Sequence, residues 1–225
     1  MNIDIITLLP NFWINIIKTL PIINKALLKN NLKINIVNLR NYGIKKGNKV
    51  YVDDYQYGGG YGMVLKLEPI YNCINTLKKN NNYNNIIYLT PDSTLYNQNI
   101  AKKLSKTNHI LFLSGYFKGI DQRIRDNLIT NEYSIGKYII SNGDLSTLIV
   151  IDSIIRLLPG ILGNIKSTYS DSFNKYYYDH PLYTRPYKYK NMKVPKILLS
   201  GNHNKILKWR NNKILKKIYK YKDTK

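Results

Sequence analysis

Apolar and polar positions alternate in two rhythms along this chain. Ile3 to Leu9 is a short, β-branched, mostly apolar run closed by Pro10, the pattern of a buried strand. From Phe12 to Leu28 apolar residues recur at helical spacing, and Pro21 inside that stretch predicts a kink or a split. Leu32 to Leu39 sets Ile34 and Ile36 between polar neighbours, which predicts a second strand. Arg40 to Gly62 is rich in Gly, Asn, Lys and Asp and reads as a long loop, a length that in a compact domain marks function or disorder. Glu68 to Leu77 has a helical pattern. Ile86–Leu89 and Ile110–Leu113 read as strands, with a helix from about Asn97 to Leu104 between them. Such alternation predicts an α/β fold with a mostly parallel sheet covered on both faces. Asp144 to Leu158 is apolar on nearly every face, which predicts a buried helix stopped by Pro159-Gly160.

Beyond that point the composition changes. Residues 1–160 read as one domain and 161–175 as a polar linker. Residues 176–225, rich in Tyr, Lys and Pro, read as a small basic helical domain. Asn202 is a plausible N-cap for a last helix reaching about Tyr221. That helix carries Lys205, Lys208, Arg210, Lys213, Lys216, Lys217 and Lys220. Charge runs are usually solvated faces, but Trp209, Tyr219 and Tyr221 interleave with these cations and favour nucleic-acid contact.

Charge strengthens that reading. The chain has 35 Lys+Arg against 13 Asp+Glu, a formal +22, which suggests a polyanionic partner. AT-rich coding, visible in 21 Tyr against 4 Phe, explains part of the lysine excess. The single cysteine, Cys73, excludes disulfides and cysteine-based zinc sites within one chain and fits a reducing cytoplasm. No stretch approaches the ~20 apolar residues of a membrane span, and the first residues lack the pattern of a signal peptide.

Three segments carry candidate chemistry. Tyr57-Gly-Gly-Gly-Tyr-Gly-Met63 permits close backbone approach or positive φ, but lacks the Gly-Lys-Ser/Thr ending and preceding strand of a phosphate loop. Leu113-Ser-Gly-Tyr-Phe-Lys-Gly-Ile-Asp-Gln-Arg123 directly follows a strand, where open α/β sheets bind ligands. Ser134-Ile-Gly-Lys-Tyr-Ile-Ile-Ser-Asn-Gly-Asp144 is a second such edge, leading into the apolar helix. Neither has an acid at the spacing that grips a ribose in NAD enzymes, so NAD is disfavoured.

Together these segments resemble the bacterial tRNA (guanine-N1)-methyltransferases, of the trefoil-knotted SPOUT class. The matches are ordered along the whole chain. They include Val52-Asp-Asp with the glycine loop, Ile87-Tyr-Leu-Thr-Pro91, Gly119-Ile-Asp121 and Ser134-Ile-Gly136. Ile151-Asp152 with Arg156-Leu-Leu-Pro-Gly-Ile-Leu-Gly163, Asp171-Ser-Phe173, Tyr183-Thr-Arg-Pro186 and Leu198-Leu-Ser-Gly-Asn-His203 complete them. The resemblance implies a deep knot, against general topology rules, and a homodimer whose site draws on both subunits. It implies S-adenosyl-L-methionine as methyl donor and tRNA as substrate, with methylation at N1 of the guanosine immediately 3′ of the anticodon (guanosine 37).

By the same resemblance the donor rests against Tyr88, Leu89, Thr90, Pro91 and Gly115, and against Ser134, Ile135, Gly136, Tyr138, Ile140 and Gly143. Asp53, Tyr57, Gly58, Gly59 and Lys118 contact tRNA. Guanine N1 carries a proton at neutral pH, so a base must take it. The family's base matches Asp171, and its charge-stabilising arginine matches Arg156. Without the resemblance, Asp171 reads as a cap and Arg156 as an i,i+4 partner of Asp152.

The chain departs from the family at several positions. The family usually has Arg and Glu where Tyr116 and Lys118 stand, Asp at Lys137 and Gly at Asn142, and continues past Lys225 with further helix. No metal ligand is assigned, and a requirement for Mg²⁺ is left open. The rival readings are a catalytically impaired protein of the same fold that binds donor and tRNA, and a structural RNA-binding protein without cofactor.

Overall fold

The computed structural model describes residues 1–162 and 179–222. The chain forms two compact units, residues 1–162 and 163–225. In the first, β1 (Asn2–Thr7) leads through α1 (Pro10–Thr19) and α2 (Pro21–Leu28) into β2 (Lys33–Asn38). Short hairpins follow: β3 (Ile44–Lys46) with β4 (Lys49–Tyr51), then β5 (Asp53–Tyr55) with β6 (Met63–Leu65). Next come α3 (Leu67–Asn80), β7 (Asn85–Leu89), α4 (Gln98–Leu104) and β8 (His109–Leu113). The unit closes with α5 (Gln122–Asn127), β9 (Asn131–Tyr133) and α6 (Gly143–Ile155).

Five strands pair in the order β2-β1-β8-β7-β9, every pairing parallel. Because side chains alternate across a strand, each strand feeds two cores. Ile3, Ile5, Ile87, Leu89, Ile110 and Phe112 point to one face, packed with Trp13, Ile23 and the Val150–Ile155 part of α6. Ile6, Ile86, Tyr88, Leu111 and Leu113 point to the other, packed with Ile70, Cys73, Ile74 and Ile124. The sheet is thus covered on both faces, as the sequence pattern predicts. Cys73 is a core thiol, pushed up to about 12 by burial.

The 12–28 stretch is split at Pro21, as the sequence predicts, and each helix begins on a proline, Pro10 and Pro21; proline suits a first helical position, whose N–H is unused anyway. Three sequence expectations need correction. Residues 40–62 are not one long loop, because β3, β4 and β5 lie within them. A strand therefore does precede the glycines, which close a hairpin rather than open a helix. Finally, α6 is not buried all round. Leu145 and Ile149 are 40% and 51% exposed, and with Asp152 and Arg156 they form one stripe at i, i+4, i+7, i+11. No described helix is long and apolar enough to cross a membrane.

In the second unit, a two-residue strand pair, β10 (Lys188–Tyr189) with β11 (Met192–Lys193), precedes α7 (His203–Lys222). The Asn202 side chain accepts from the Lys205 N–H at 3.0 Å, the N-cap expected from sequence. Lys213 Nζ lies 5.7 Å from the Trp209 ring, which packs against Tyr183.

Candidate active site

β8, β7 and β9 are neighbours in the sheet, so the loops leaving their carboxyl ends converge. They enclose a cavity of about 470 Å³. Each residue expected to hold the methyl donor lines it: Tyr88, Leu89, Thr90 and Pro91 after β7, Gly115 after β8, and Ser134, Ile135, Gly136, Tyr138, Ile140 and Gly143 after β9. Lys118 lines it as well.

The chain closes on itself at one wall. The Gly143 N–H donates to the Gly115 carbonyl at 2.7 Å. A Cβ on Gly143 would be driven into the Gly115 nitrogen and lie 3.0 Å from its carbonyl oxygen, so only glycine fits this crossing. Asn142 is extended (φ −157°), and its side chain caps α6 by accepting from the Asp144 and Leu145 N–H groups. Asn142 therefore needs no positive φ here.

Charged groups brace the other wall. Arg125 donates to Glu132 at 2.8 and 2.7 Å and to Asp92 at 3.0 and 3.3 Å, with its guanidinium 5.7 Å from the Tyr88 ring. The Thr90 hydroxyl donates to Asp92 as well, and with Arg125 holds that carboxyl below its ordinary range. Burial raises the Tyr88 phenol despite the opposing Arg125 charge, so the ring stays neutral beside the cavity. These pairs tie the loop after β7 to α5 and β9.

The glycine hairpin abuts this site. The Lys118 N–H donates to the Met63 carbonyl at 2.9 Å, and the Leu65 N–H to Gly119 at 3.0 Å. Asp53 lies on β5, and Gly58 and Gly59 turn the hairpin at φ +81° and +80°. Tyr57 is 99% exposed. None of these four lines the cavity. Asp54 accepts from Lys66 at 2.7 Å, and that hydrogen bond lowers its carboxyl below the ordinary range. Arg156 caps the far end of α6, on the order of 20 Å along the helix from Gly143 at 1.5 Å per residue. The structure does not bring it to this cavity. Asp171 lies outside the described residues.

Comparison with known proteins gives a single picture. Residues 1–224 match the family described as tRNA (Guanine-1)-methyltransferase TrmD. The chain belongs to this family. A curated tRNA (guanine-N(1)-)-methyltransferase from Christiangramia forsetii is 46% identical, over 98% of this chain and 96% of its own. One from Bacillus cereus is 40% identical, over 97% and 89%. The crystal structure of tRNA (m1G37) methyltransferase from Aquifex aeolicus superposes with a TM-score of 0.78 at 31% identity, covering 96% of this chain and 92% of that one. The fold is the α/β class expected from the motifs, that of the knotted methyltransferases.

Sequence reasoning missed Asp92, Arg125, Glu132 and Asp144. Nothing in the sequence separates the first three from other surface charges. Asp144 did leave a signal, an acid heading a largely apolar helix, where a carboxylate taken from water demands partners.

Proposed function

We propose that this chain transfers a methyl group from S-adenosyl-L-methionine to N1 of guanosine 37 in tRNA. The observation that carries this reading is the cavity at the carboxyl ends of β7, β8 and β9. Its volume of about 470 Å³ falls in the range of small-ligand sites. Leu89, Ile135 and Ile140 offer it apolar surface, while Thr90, Ser134 and the glycine backbone offer hydrogen-bonding groups. These residues fit the donor, which when bound supplies an electrophilic methyl group on a sulfonium.

The chain's own residues do the rest. Asp171 accepts the N1 proton on a carboxylate oxygen, and Arg156 offers positive charge to the guanine O6 as negative charge builds there. The exposed hairpin of Asp53, Tyr57, Gly58 and Gly59, with Lys118 beneath it, receives tRNA. Among the described residues no group of His, Cys, Asp and Glu converges as a metal site, and Asp92 and Glu132 are already paired with Arg125. The tRNA substrate puts this activity in the cytoplasm.

The working unit is a homodimer. The exposed α6 stripe is apolar at the cavity end, with Leu145 and Ile149, and carries Arg156 at the other. Two copies packed antiparallel on this stripe cover the apolar part, and bring each Arg156 to the partner's cavity. Ile149→Asp should then convert the dimer to monomers in sedimentation velocity and abolish turnover. A dimer of unchanged affinity in this variant would move the interface elsewhere.

Titration calorimetry checks the cofactor. S-adenosyl-L-methionine should bind the purified protein with a measurable heat and NAD should not. Absence of donor binding would overturn the proposed function.

A further inference from the structure

Resting on the donor-site reading above, we infer that Tyr116 and Asp144 form a latch that positions the methyl-donor pocket. Each follows one of the two glycines at the crossing. The Tyr116 hydroxyl donates to Asp144 Oδ2 at 2.7 Å, parallel to the Gly143-to-Gly115 backbone bond at 2.7 Å. A third contact joins the same two segments, the Ser114 hydroxyl to that of Thr147 at 3.4 Å. Successive residues 114, 115 and 116 thus each hold the 143–147 segment, and Gly115, Tyr116, Gly143 and Ser146 all line the cavity.

Asp144 is 0% exposed, yet both carboxylate oxygens are satisfied. Trp13 Nε1 donates to Oδ1 at 2.7 Å and Tyr116 holds Oδ2. The first turn of α6 adds its favourable dipole. Trp13 anchors the carboxylate to the core beneath α1, so Tyr116 is the movable side of the latch. What it holds is a strained turn. Phe117, half exposed, sits at φ +57°, a conformation a bulky side chain rarely adopts. Tyr116 restrains that turn before it, and the Lys118 N–H to the Met63 carbonyl restrains it after. A neutral phenol, not a cation, meets the carboxylate here.

Removing the hydroxyl should not unfold this wall but should let it sample open forms, so the donor must also close it. Apparent affinity then falls by the fraction of closed protein, while saturating donor restores the closed state. Tyr116→Phe deletes the hydroxyl alone. We expect it to raise the donor Kd and donor KM about tenfold, leaving tRNA KM and kcat at saturating donor within about twofold. Asp144→Asn, which turns an amide N–H₂ toward one of the two donors, should weaken donor binding in the same direction. The double variant should lose less than the two single losses combined, since both act on one contact. Unchanged donor affinity in Tyr116→Phe overturns the latch, as does an equal rise in donor and tRNA KM with a lowered melting temperature. Failure of the wild-type protein to bind S-adenosyl-L-methionine would overturn the donor-site reading itself, a separate result.

Discussion

Asp171→Asn should bind donor and tRNA nearly normally and lose methyl transfer, by about 10²–10⁴-fold in single-turnover rate, the usual contribution of a general base. Asparagine keeps the size and most hydrogen bonding of aspartate but accepts no proton. Guanine N1 must shed its proton as the methyl arrives, so the loss falls on chemistry and spares binding. The competing acids are weaker candidates. Asp54 is held by Lys66, and a carboxyl lowered in that way is a poorer proton acceptor. Asp53 lies on the hairpin proposed to receive tRNA, outside the cavity, so Asp53→Asn should act mainly on productive tRNA binding. Full single-turnover rate in Asp171→Asn, with collapse in Asp53→Asn, would transfer the base to the hairpin.

Gly143→Ala should lower donor affinity by at least about tenfold, with catalysis falling in step at limiting donor. The added methyl meets the backbone of Gly115 rather than a side chain. Backbone fixed between β8 and the crossing has nowhere to go, so the two walls of the cavity must part. Gly115→Ala offers an internal contrast. Its methyl would lie 2.9 Å from the Tyr88 ring, a side chain whose χ angles can give a little where the backbone cannot, so a smaller loss is expected. Calorimetry with S-adenosyl-L-methionine ranks the two. Wild-type affinity in Gly143→Ala would place the donor away from the crossing.

Legibility in the sequence followed the strength of local patterns. The four long strands announced themselves because three are short apolar runs and β2 alternates Ile34 and Ile36 with polar residues, and the parallel sheet followed from the helices between them. β9 showed only as the strand edge before Ser134, because Asn131-Glu132-Tyr133 is short and polar, and is a strand only by pairing with β7. β3 to β6 escaped because each is only three residues long, too short to show a period. α6 misled because an apolar run does not tell which of its apolar side chains stay exposed, as Leu145 and Ile149 do. The cavity after β7, β8 and β9 was legible only through motif resemblance, since Gly115 and Gly143 come together through topology, 28 residues apart. The Arg125 brace and the Tyr116–Asp144 pair join residues distant in sequence, so no spacing rule exposes them.

The most direct measurement of the central claim is mass spectrometry of tRNA after incubation with purified protein and donor bearing a deuterated methyl group. Two transcripts suffice, one with guanosine at position 37 and one with adenosine there. The account predicts labelled 1-methylguanosine at that position in the first and no label in the second. An unlabelled first transcript, or a labelled methyl group on any other atom or nucleotide, would contradict it.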